Sequence, residues 1–576
     1  MAAPADPPAP VRAPMPAPVD ALVFGATGFI GRALTAELLA RGQRVAATLR
    51  SRDTLTPWLT ARGVDTGRLT LHPADITRPL TGLPQARDVY NAAARYAFGL
   101  DARQARAANV TGALHVLAWA ATLPRLRRLV HLSGYRVSGT GLTPDYARQG
   151  AYEASKTEAD LALRARAGEL GVPLTLVNPS TVIGPGQYVG LASLLEDLWH
   201  RRLPALPGGP DVFLPIVTIG HLARFLAEVP AAPAGEHYWV LDEDTPPLPE
   251  LIALVARHTG VPAPRRSVPL GLLRRLPRRL TGVDPETLTF LASDRYPTAS
   301  ARAFAERVGL AMPPAGEALR AWADDLVAAR FGAAPPPPAP YGFHAVAGSR
   351  TWVIGERHSP THVLLHGAPL NADCWAPLAA ALPGPVLAPD LPGLGRSSPT
   401  SRPLDAWLAE LFAPVRTRPV LVAHSLACGP ALRFAAGHPD RISGLVLLSP
   451  AFLQAPGSRL VRSALAAAAL RRMPAPRLAA QLGLPAGPEL VSAAADLHRP
   501  GVARRMVAAL RTANAEREEA RALLDRVTVP VRLIAGADDP PAVPVRHPLT
   551  EIPETGHYPQ LTHPTALAAH VAPHAG

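Results

Sequence analysis

The single lysine of the chain, Lys156, lies four residues after Tyr152 in the segment Ala-Tyr-Glu-Ala-Ser-Lys. All other cationic side chains among the 58 Lys and Arg residues are arginine. Four residues make one helical turn, so the two side chains would face the same way. An ammonium beside a phenol lowers the phenol's pKa, and a guanidinium does not replace a compact, titratable ammonium. The pair suits general acid–base chemistry; the alternative is an ordinary surface Tyr and Lys on one helix face.

A second set of residues suits nucleophilic catalysis. Ser425 follows the apolar run Val-Leu-Val-Ala-His and opens a helical stretch, with alanine where a sharp strand-to-helix turn commonly has glycine. Asp538 ends another apolar run, and His557 follows a further one. A histidine can take the serine's proton while an acid orients the imidazole. Separately these residues would be a helix cap, a surface turn and a loop histidine, and Asp539 is an alternative acid.

A glycine-rich turn supplies a third chemical feature. Residues 20–24 are predicted to be a buried strand, and a helix is predicted over residues 32–40. Between them the sequence reads Gly25-Ala-Thr-Gly28-Phe-Ile-Gly31. Such glycines allow a tight turn, a close backbone approach to a pyrophosphate and close helix–strand packing. The helix N-terminus would then face the phosphates of a dinucleotide.

The end of the next predicted strand bears on which dinucleotide binds. Arg50-Ser51-Arg52 stands where an NAD enzyme usually places an acid, and arginine suits the 2′-phosphate of NADP. Asp75, after a third predicted strand, is placed for an adenine contact. We therefore expect NADP, with NAD as the alternative.

Composition limits the class of protein. A chain of 576 residues with 48% hydrophobic and 18% charged content suggests two or three domains. The formal charge is +13, but the arginines are scattered and aromatic residues make up 5%, so nucleic-acid binding is not expected. Cys374 and Cys428, the two cysteines, exclude a disulfide framework and a cysteine-rich metal site. The arginine cluster at 274–279 is interrupted by Pro277 and is interpreted as a solvated face.

The expected environment is cytoplasmic. Residues 1–19 are rich in alanine and proline and predict a disordered tail rather than a signal peptide. No apolar run is long enough for a membrane span. Small-molecule substrates are expected, no metal is expected, and a homo-oligomer is left open.

Five motifs occur in the order typical of one family: Gly-Ala-Thr-Gly-Phe-Ile-Gly, Val-Tyr-Asn-Ala-Ala-Ala, Asn109-Val-Thr-Gly, Tyr-Glu-Ala-Ser-Lys, and Asn178-Pro-Ser-Thr-Val-Ile-Gly-Pro-Gly. Residues 21–332 thereby resemble the extended short-chain dehydrogenase/reductases, the NAD-dependent epimerase/dehydratase group. The resemblance implies that Tyr152 is the catalytic acid/base, that Lys156 holds the nicotinamide ribose and lowers the tyrosine pKa, and that Asn109 supports the proton relay. It also implies cofactor contacts by Gly25, Thr27, Gly28, Phe29, Ile30, Gly31, Arg50, Asp75, Ile76, Ala93, Tyr152, Lys156 and Pro179.

Two departures from that family pattern matter. The family commonly carries two serines after the fifth strand, the second polarising the carbonyl; here Ser133 is followed by Gly134. Ser133 is the first candidate for that hydroxyl, Ser138 the second, and a missing hydroxyl the third. Asn178 replaces an arginine that many members use for a sugar nucleotide. A carbonyl or alcohol substrate therefore fits better.

The proline run at 333–341 predicts a semi-rigid linker. Beyond it, His-Gly-Ala, Asp-Leu-Pro-Gly-Leu-Gly-Arg-Ser, the Ser425 turn, Gly-Ala-Asp-Asp and Gly-His-Tyr-Pro resemble the α/β-hydrolase superfamily over residues 342–576. The resemblance implies a triad of Ser425, Asp538 and His557, with the amides of Ala368 and Leu426 as the oxyanion hole. Residues 452–526 would form a helical lid. The short spacing from Asp538 to His557 hardly leaves room for the usual crossover helix.

The sequence thus predicts an α/β protein of two domains. Residues 20–332 would form a Rossmann-like doubly wound parallel sheet with a small substrate lobe, and residues 342–576 an α/β-hydrolase sheet. The leading hypothesis is a bifunctional enzyme, an NADP(H)-dependent oxidoreductase fused to a serine hydrolase of esterase or thioesterase type. The alternatives are an NADP-sensing module that regulates a hydrolase and a reductase with a non-catalytic hydrolase-like partner domain.

Overall fold

The computed structural model describes residues 17–95, 100–137, 143–273, 291–456, 458 and 463–571. Ser138, the arginine cluster at 274–279 and most of the predicted N-terminal tail lie outside these residues. The described residues form two compact units: residues up to 191 with 205–251 and 265–319, and residues 192–204, 252–264 and 320–576.

Before the proline run the chain alternates strands and helices, as predicted for a doubly wound fold. Its strands are β1 Val19–Phe24, β2 Val45–Leu49, β3 Leu69–Pro73, β4 Ala86–Asn91, β5 Arg128–Leu132, β6 Leu174–Pro179, β7 Thr181–Ile183, β8 Leu206–Pro207, β9 Ile216–Thr218, β10 His237–Val240 and β11 Ser267–Val268. Its helices are α1 Phe29–Ala40, α2 Leu55–Thr60, α3 Ala102–Ala105, α4 Gly112–Ala120, α5 Ala151–Leu170, α6 Leu191–Trp199, α7 Ile219–Glu228, α8 Leu248–Thr259, α9 Leu270–Leu273, α10 Ala299–Arg307 and α11 Ala315–Ala328.

Seven of these strands form one sheet in the order β10-β6-β5-β4-β1-β2-β3. All neighbouring strands in it are parallel. Strands β1, β2, β5 and β6 are almost entirely buried, as expected when helices cover both faces of a parallel sheet. The carboxyl ends of the strands therefore meet at one edge, where the strand order reverses between β1 and β4 and a ligand crevice forms.

Residues 299–328 contain two helices, α10 and α11, rather than one. The residues between them include Met312-Pro313-Pro314, and hydrogen bonds from Gly309 and Leu310 close the end of α10. Proline removes a backbone donor and disfavours helix at the preceding residue. The prolines between them therefore separate α10 from α11.

The second sheet has eight strands in the order β12-β13-β15-β14-β16-β17-β18-β19. Only the β12–β13 and β13–β15 pairs are antiparallel. Its strands are β12 Tyr341–Val346, β13 Ser349–Gly355, β14 His362–Leu365, β15 Val386–Pro389, β16 Val420–His424, β17 Gly444–Leu448, β18 Val531–Gly536 and β19 Leu549–Ile552. The helices after the proline run are α12 Ala376–Ala381, α13 Leu404–Phe412, α14 Cys428–Gly437, α15 Ala464–Leu470, α16 Ala475–Leu482, α17 Pro488–His498, α18 Val502–Ala515, α19 Arg517–Leu524, α20 Pro559–Thr562 and α21 Pro564–Val571.

Helices α15–α19 lie between β17 and β18 and occupy the segment predicted as a lid. The second unit also includes residues that precede the proline run. His258 donates from Nε2 to Asp324 Oδ1 at 2.7 Å, and Arg330 donates to Asp496 Oδ1 at 2.5 Å on α17. Residues 252–264 and 320–332 are therefore bonded into the compact unit that carries the second sheet.

Candidate active sites

The glycine turn after β1 is built by close backbone packing. Gly25 has a φ of +75°, and a Cβ there would lie 2.6 Å from the amide nitrogen of Ala93 at the end of β4. A Cβ on Gly31 would lie 2.1 Å from the carbonyl oxygen of Gly25. Both positions therefore exclude a side chain, whereas Thr27 and Gly28 are exposed and precede the first turn of α1. This open helix N-terminus fits a dinucleotide's pyrophosphate.

The residues predicted to contact the adenosine part of the cofactor lie after the ends of β2 and β3. Arg50 directly follows β2 and is exposed. Asp75 accepts hydrogen bonds from the backbone N and Oγ1 of Thr77 at 3.0 and 2.8 Å. These bonds lower the pKa of Asp75, and the charges of Arg50 and Arg78 lower it further. Ile76 packs against α4, where a Cβ on Gly112 would meet its Cδ1 at 2.8 Å.

We call the cluster around Tyr152, Lys156 and Asn109 the Tyr152 site. Lys156 is buried in α5 and donates from Nζ to the carbonyl of Leu132 at the end of β5, at 2.9 Å. Burial lowers the pKa of Lys156 to about 8, against the opposing charges of Glu153 and Asp160. At a pKa of about 8 the Lys156 ammonium is mostly protonated at neutral pH, as its predicted role of lowering the Tyr152 pKa requires.

Asn109 lies in a π-helical turn, Arg106–Thr111, between α3 and α4. Its Nδ2 donates to Ser155 Oγ at 2.9 Å, and Ser155 Oγ donates to the carbonyl of Tyr152 at 2.8 Å. Its Oδ1 accepts from the amide of Arg95 at 2.8 Å. Asn109 thus ties the turn that carries Tyr152 to the loop after β4.

The position of the second family serine is open in space. A Cβ on Gly134 would meet Val137 Cγ2 at 3.6 Å and the Lys156 side chain at 3.9 Å, which are ordinary contacts. The buried hydroxyl of Ser133 has no hydrogen-bond partner among the described residues. Burial raises the pKa of Asp160, while Arg164 and the nearby Ser133 hydroxyl lower it. Ser133 therefore points toward the next turn of α5 beyond Lys156, and its predicted role stays a prediction.

Asn178 has a supporting contact that the sequence did not reveal. Its Nδ2 donates to the carbonyls of Gly134 and Val137 at 2.8 and 3.1 Å. Its Oδ1 lies 2.9 Å from His237 Nε2. Fully buried, Asn178 fixes the loop after β5. Pro179, a predicted cofactor contact, follows it as the last residue of β6.

We call the cluster around Ser425, His557 and Asp539 the Ser425 site. Ser425 lies between β16 and α14 and has a φ of +56°, a left-handed backbone that is strained for a side-chain-bearing residue. His557 Nε2 lies 3.0 Å from Ser425 Oγ. His557 Nδ1 lies 2.7 Å from Asp539 Oδ2. These are the contacts of a nucleophile, its base and an orienting acid.

The acid that contacts His557 is Asp539, the alternative named from the sequence, and not Asp538. The amide of Asp538 donates to the carbonyl of Thr555 at 3.0 Å, and its side chain is exposed. The amide of Asp539 donates to the carbonyl of Gly536, also at 3.0 Å. This turn after β18 directs only the second carboxylate to His557.

The loop after β14 approaches the nucleophile closely. A Cβ on Gly367 would lie 2.7 Å from Ser425 Cβ and 2.5 Å from His424 Nδ1. Ala368 follows, and its carbonyl accepts a hydrogen bond from Tyr558 Oη at 3.4 Å. Leu426 is the second residue of the 3-10 turn that begins at Ser425. The role of the Ala368 and Leu426 amides as oxyanion donors stays a prediction.

Comparison with known proteins matches each half of the chain to a different family. Residues 21–200 match the model of the NAD dependent epimerase/dehydratase family, and residues 363–570 match that of the alpha/beta hydrolase family. The chain joins a domain similar to the NAD-dependent epimerase/dehydratases to an α/β-hydrolase domain. Similarity of the first domain to that family indicates a nicotinamide dinucleotide cofactor.

Similar proteins match one domain at a time. The hydrolase domain is 32% identical over 233 residues to a pimeloyl-[acyl-carrier protein] methyl ester esterase of Neisseria meningitidis, covering 36% of this chain and 90% of the esterase. The first domain is 28% identical over 271 residues to sterol demethylase protein B of Methylococcus capsulatus, covering 44% and 78%. It is 27% identical over 257 residues to a 2-alkyl-3-oxoalkanoate reductase of Stenotrophomonas maltophilia, covering 42% and 76%.

The short spacing before His557 is accommodated in the hydrolase domain without a crossover helix. Strands β18 and β19 pair in parallel, with Gly536 opposite Ile552. Residues 537–548 connect them as turns and extended chain. Proline at several of these positions suits extended chain and disfavours helix. His557 therefore still follows the last strand of the sheet.

Three residues near the two sites were not identified from the sequence. Glu153 is buried directly after Tyr152, and burial raises its pKa to about 7, against the charges of Arg136 and Lys156. His424 donates from Nε2 to the carbonyl of His557 at 2.8 Å. Gln454 contacts Asp539. In the sequence, Glu153 and His424 are adjacent to residues predicted to be catalytic, Tyr152 and Ser425. Nothing in the sequence pointed to Gln454.

Among the described residues, no helix is both long and apolar enough to cross a membrane.

Proposed function

We propose that the protein is a bifunctional enzyme, an NADP(H)-dependent oxidoreductase for carbonyl or alcohol substrates fused to a serine hydrolase of the esterase or thioesterase type. The contact chain Ser425–His557–Asp539, with distances of 3.0 and 2.7 Å, carries the hydrolase half of the proposal. The esterase similarity of the same domain supports an ester substrate.

In the proposed hydrolysis, Ser425 Oγ attacks the carbonyl carbon of the ester while His557 Nε2 takes the hydroxyl proton. Asp539 holds Nδ1 and stabilises the imidazolium that forms. The amides of Ala368 and Leu426 would receive the negative charge on the carbonyl oxygen. His557 then gives its proton to the departing alcohol or thiol, and water releases the acid by the same route in reverse.

In the proposed reduction, Tyr152 donates a proton to the substrate oxygen. Lys156 lies one turn along α5, and its ammonium favours the phenolate left behind. A nicotinamide dinucleotide, when bound, would supply the hydride for the carbonyl carbon. The glycine turn at Gly25 and Gly31 leaves the open helix N-terminus that its pyrophosphate needs, so the residues present fit the cofactor.

Arg50 supports NADP over NAD. It is exposed at the end of β2, close enough to Asp75 for its charge to lower that residue's pKa. A guanidinium there suits a 2′-phosphate, and hydrogen bonds between charged groups contribute about 1.5–3 kcal/mol. Arg50→Ala should weaken NADPH binding by about tenfold or more and leave NADH binding nearly unchanged. Calorimetric titration of both cofactors tests this without a known substrate.

The decisive test of the hydrolase is covalent labelling. A fluorophosphonate should add to Ser425, forming an O–P bond and releasing fluoride, with one adduct in the intact mass of the parent. The Ser425→Ala variant should carry none. A parent that stays unlabelled would contradict the hydrolase and favour a reductase with a non-catalytic partner domain.

A second candidate function for the first domain is that of an NADP-sensing module that regulates the hydrolase. The observation that favours it is Gly134, which stands where the family commonly has a serine. That hypothesis predicts cofactor binding without turnover of carbonyl compounds. It also predicts that adding NADP changes the rate of fluorophosphonate labelling at Ser425. Unchanged labelling together with measurable, Tyr152-dependent turnover would exclude it.

A further inference from the structure

Gln454 lies on the segment that follows β17 and reaches the acid of the Ser425 site. Its Nε2 donates to Asp539 Oδ2 at 3.0 Å and to the Asp539 carbonyl oxygen at 3.1 Å. Both partners are acceptors, so the amide nitrogen must face them. One side chain thus holds both the carboxylate and the backbone of Asp539.

The carboxylate oxygen that Gln454 contacts is the one that contacts the base. Asp539 Oδ2 accepts from His557 Nδ1 at 2.7 Å and from Gln454 Nε2 at 3.0 Å. Asp539 is half-buried, with 28% of its side chain exposed, so water could compete for this carboxylate. A second fixed donor restricts its rotation and keeps Oδ2 directed at His557.

Gln454 is itself held in place. Arg517 on α19 donates to the carbonyl of Gln454, and Arg521 donates from Nε to the carbonyl of Phe452 at 2.8 Å. The amide of Ala542, from the chain after β18, donates to the carbonyl of Leu453 at 2.8 Å. Bonds from the lid helix and from the acid's own loop therefore fix the backbone that carries Gln454.

We propose that Gln454 is a positioning residue for the hydrolase reaction, which orients the Asp539 carboxylate toward His557 through its amide donors. The proposal rests on the hydrolase function proposed above. It predicts that removing the donors slows acylation of Ser425 while substrate binding stays nearly unchanged, because Gln454 acts on the acid and not on the substrate.

Two substitutions of similar size separate this role from packing. Gln454→Met keeps the length of the side chain and removes both donors; we expect kcat and the fluorophosphonate rate constant to fall about tenfold, with KM within about twofold. Gln454→Glu places a second carboxylate against Asp539 and should cost about a hundredfold at neutral pH. When protonated, the substituted glutamate regains a donor, so its activity relative to the parent should rise as the pH falls toward about 5. The Met variant should show no such pH-dependent recovery.

The matched control is Gln481→Met, the same change at an exposed position on lid helix α16. It should label at the parental rate, and thermal unfolding of all variants shows whether they are folded. A parent that reacts while folded Gln454→Met reacts equally fast would overturn the positioning role and leave the hydrolase intact. An unreactive parent would instead contradict the hydrolase itself. Equal pH profiles for Gln454→Glu and Gln454→Met would also overturn the proposal.

Discussion

The two sites of the chain are assembled in different ways. In the Tyr152 site the acid/base and its lysine lie on one turn of α5, and the lysine is secured by a single bond to the Leu132 carbonyl at 2.9 Å. In the Ser425 site three residues come from the loops after β16, β18 and β19 and meet through contacts of 3.0 and 2.7 Å.

Because of this difference, the structure identifies more of the side-chain contacts at the Ser425 site than at the Tyr152 site. The hydrolase contacts join side chains of the protein to one another, so the acid can be identified from distances alone. The Tyr152 site holds the residues predicted to transfer a proton, but Gly134 lacks a hydroxyl and the hydride would come from a nicotinamide cofactor. Substitutions at the Ser425 site should therefore act through an existing network, whereas those at the Tyr152 site test whether the site is complete.

The largest effect should separate two adjacent aspartates. Asp539→Asn removes the charge beside His557 and should lower the rate of ester cleavage and of fluorophosphonate labelling about 10⁴-fold, as expected when the orienting acid of a triad is lost. Asp538→Asn, at the exposed neighbour, should stay within about twofold. The rates of labelling of both variants are measured by intact mass at timed intervals. If Asp538→Asn instead lowers the rate more than Asp539→Asn does, Asp538 is the orienting acid.

Tyr152→Phe should come next. Loss of the phenolic proton should lower carbonyl reduction about 10³-fold, within the range for general acid–base catalysis. Cofactor titration should change little, because the ring remains. Fluorophosphonate labelling of Ser425 is the internal control and should match the parent. Turnover that survives the substitution would show that another group supplies the proton.

Gly134→Ser should give a smaller change of opposite sign. The site can accept a Cβ at ordinary contact distances of 3.6 and 3.9 Å, and its φ is not left-handed. A hydroxyl there would polarise the substrate carbonyl, and we expect kcat to rise about tenfold. Ser133→Ala should change kcat less than about threefold, since its hydroxyl lies close to Asp160. If instead Ser133→Ala abolishes turnover, Ser133 is the polarising residue.

The smallest expected effect is a change in the stability of the folded protein with pH. The pKa of Glu153 is raised from 4.5 to about 7 by burial, so the folded protein binds this proton more tightly than the unfolded chain does. Stability contributed by the neutral carboxyl is therefore lost as pH rises from about 4.5 to 7, by at most about 3 kcal/mol. Glu153→Gln stays neutral, so its Tm should match the parent near pH 4.5 and exceed it by about 5 °C at about pH 8. A Tm difference that is the same at both pH values would contradict this.

The sequence alone predicted the features that depend on the spacing of residues within one helix, strand or turn. Four residues place Tyr152 and Lys156 on one helical face, and glycine spacing predicts the turn whose atoms at Gly25 and Gly31 exclude a Cβ. Apolar runs bounded by turns predicted the buried parallel strands. The chain order of Ser425, an acid after β18 and His557 predicted the contact between Ser425 and His557, but it placed Asp538 where Asp539 makes the contact.

Tertiary structure decided what depends on side-chain direction and on contacts distant in sequence. Asp538 and Asp539 are adjacent and chemically identical, and only the bonds of their turn to Thr555 and Gly536 direct one of them to His557. Gln454 lies 85 residues before the acid it contacts. Residues 252–264 and 320–332 belong to the unit of the second sheet, although they precede the proline run. Spacing fixes which face of one element a residue occupies, but the packing of separate elements determines which residue it meets.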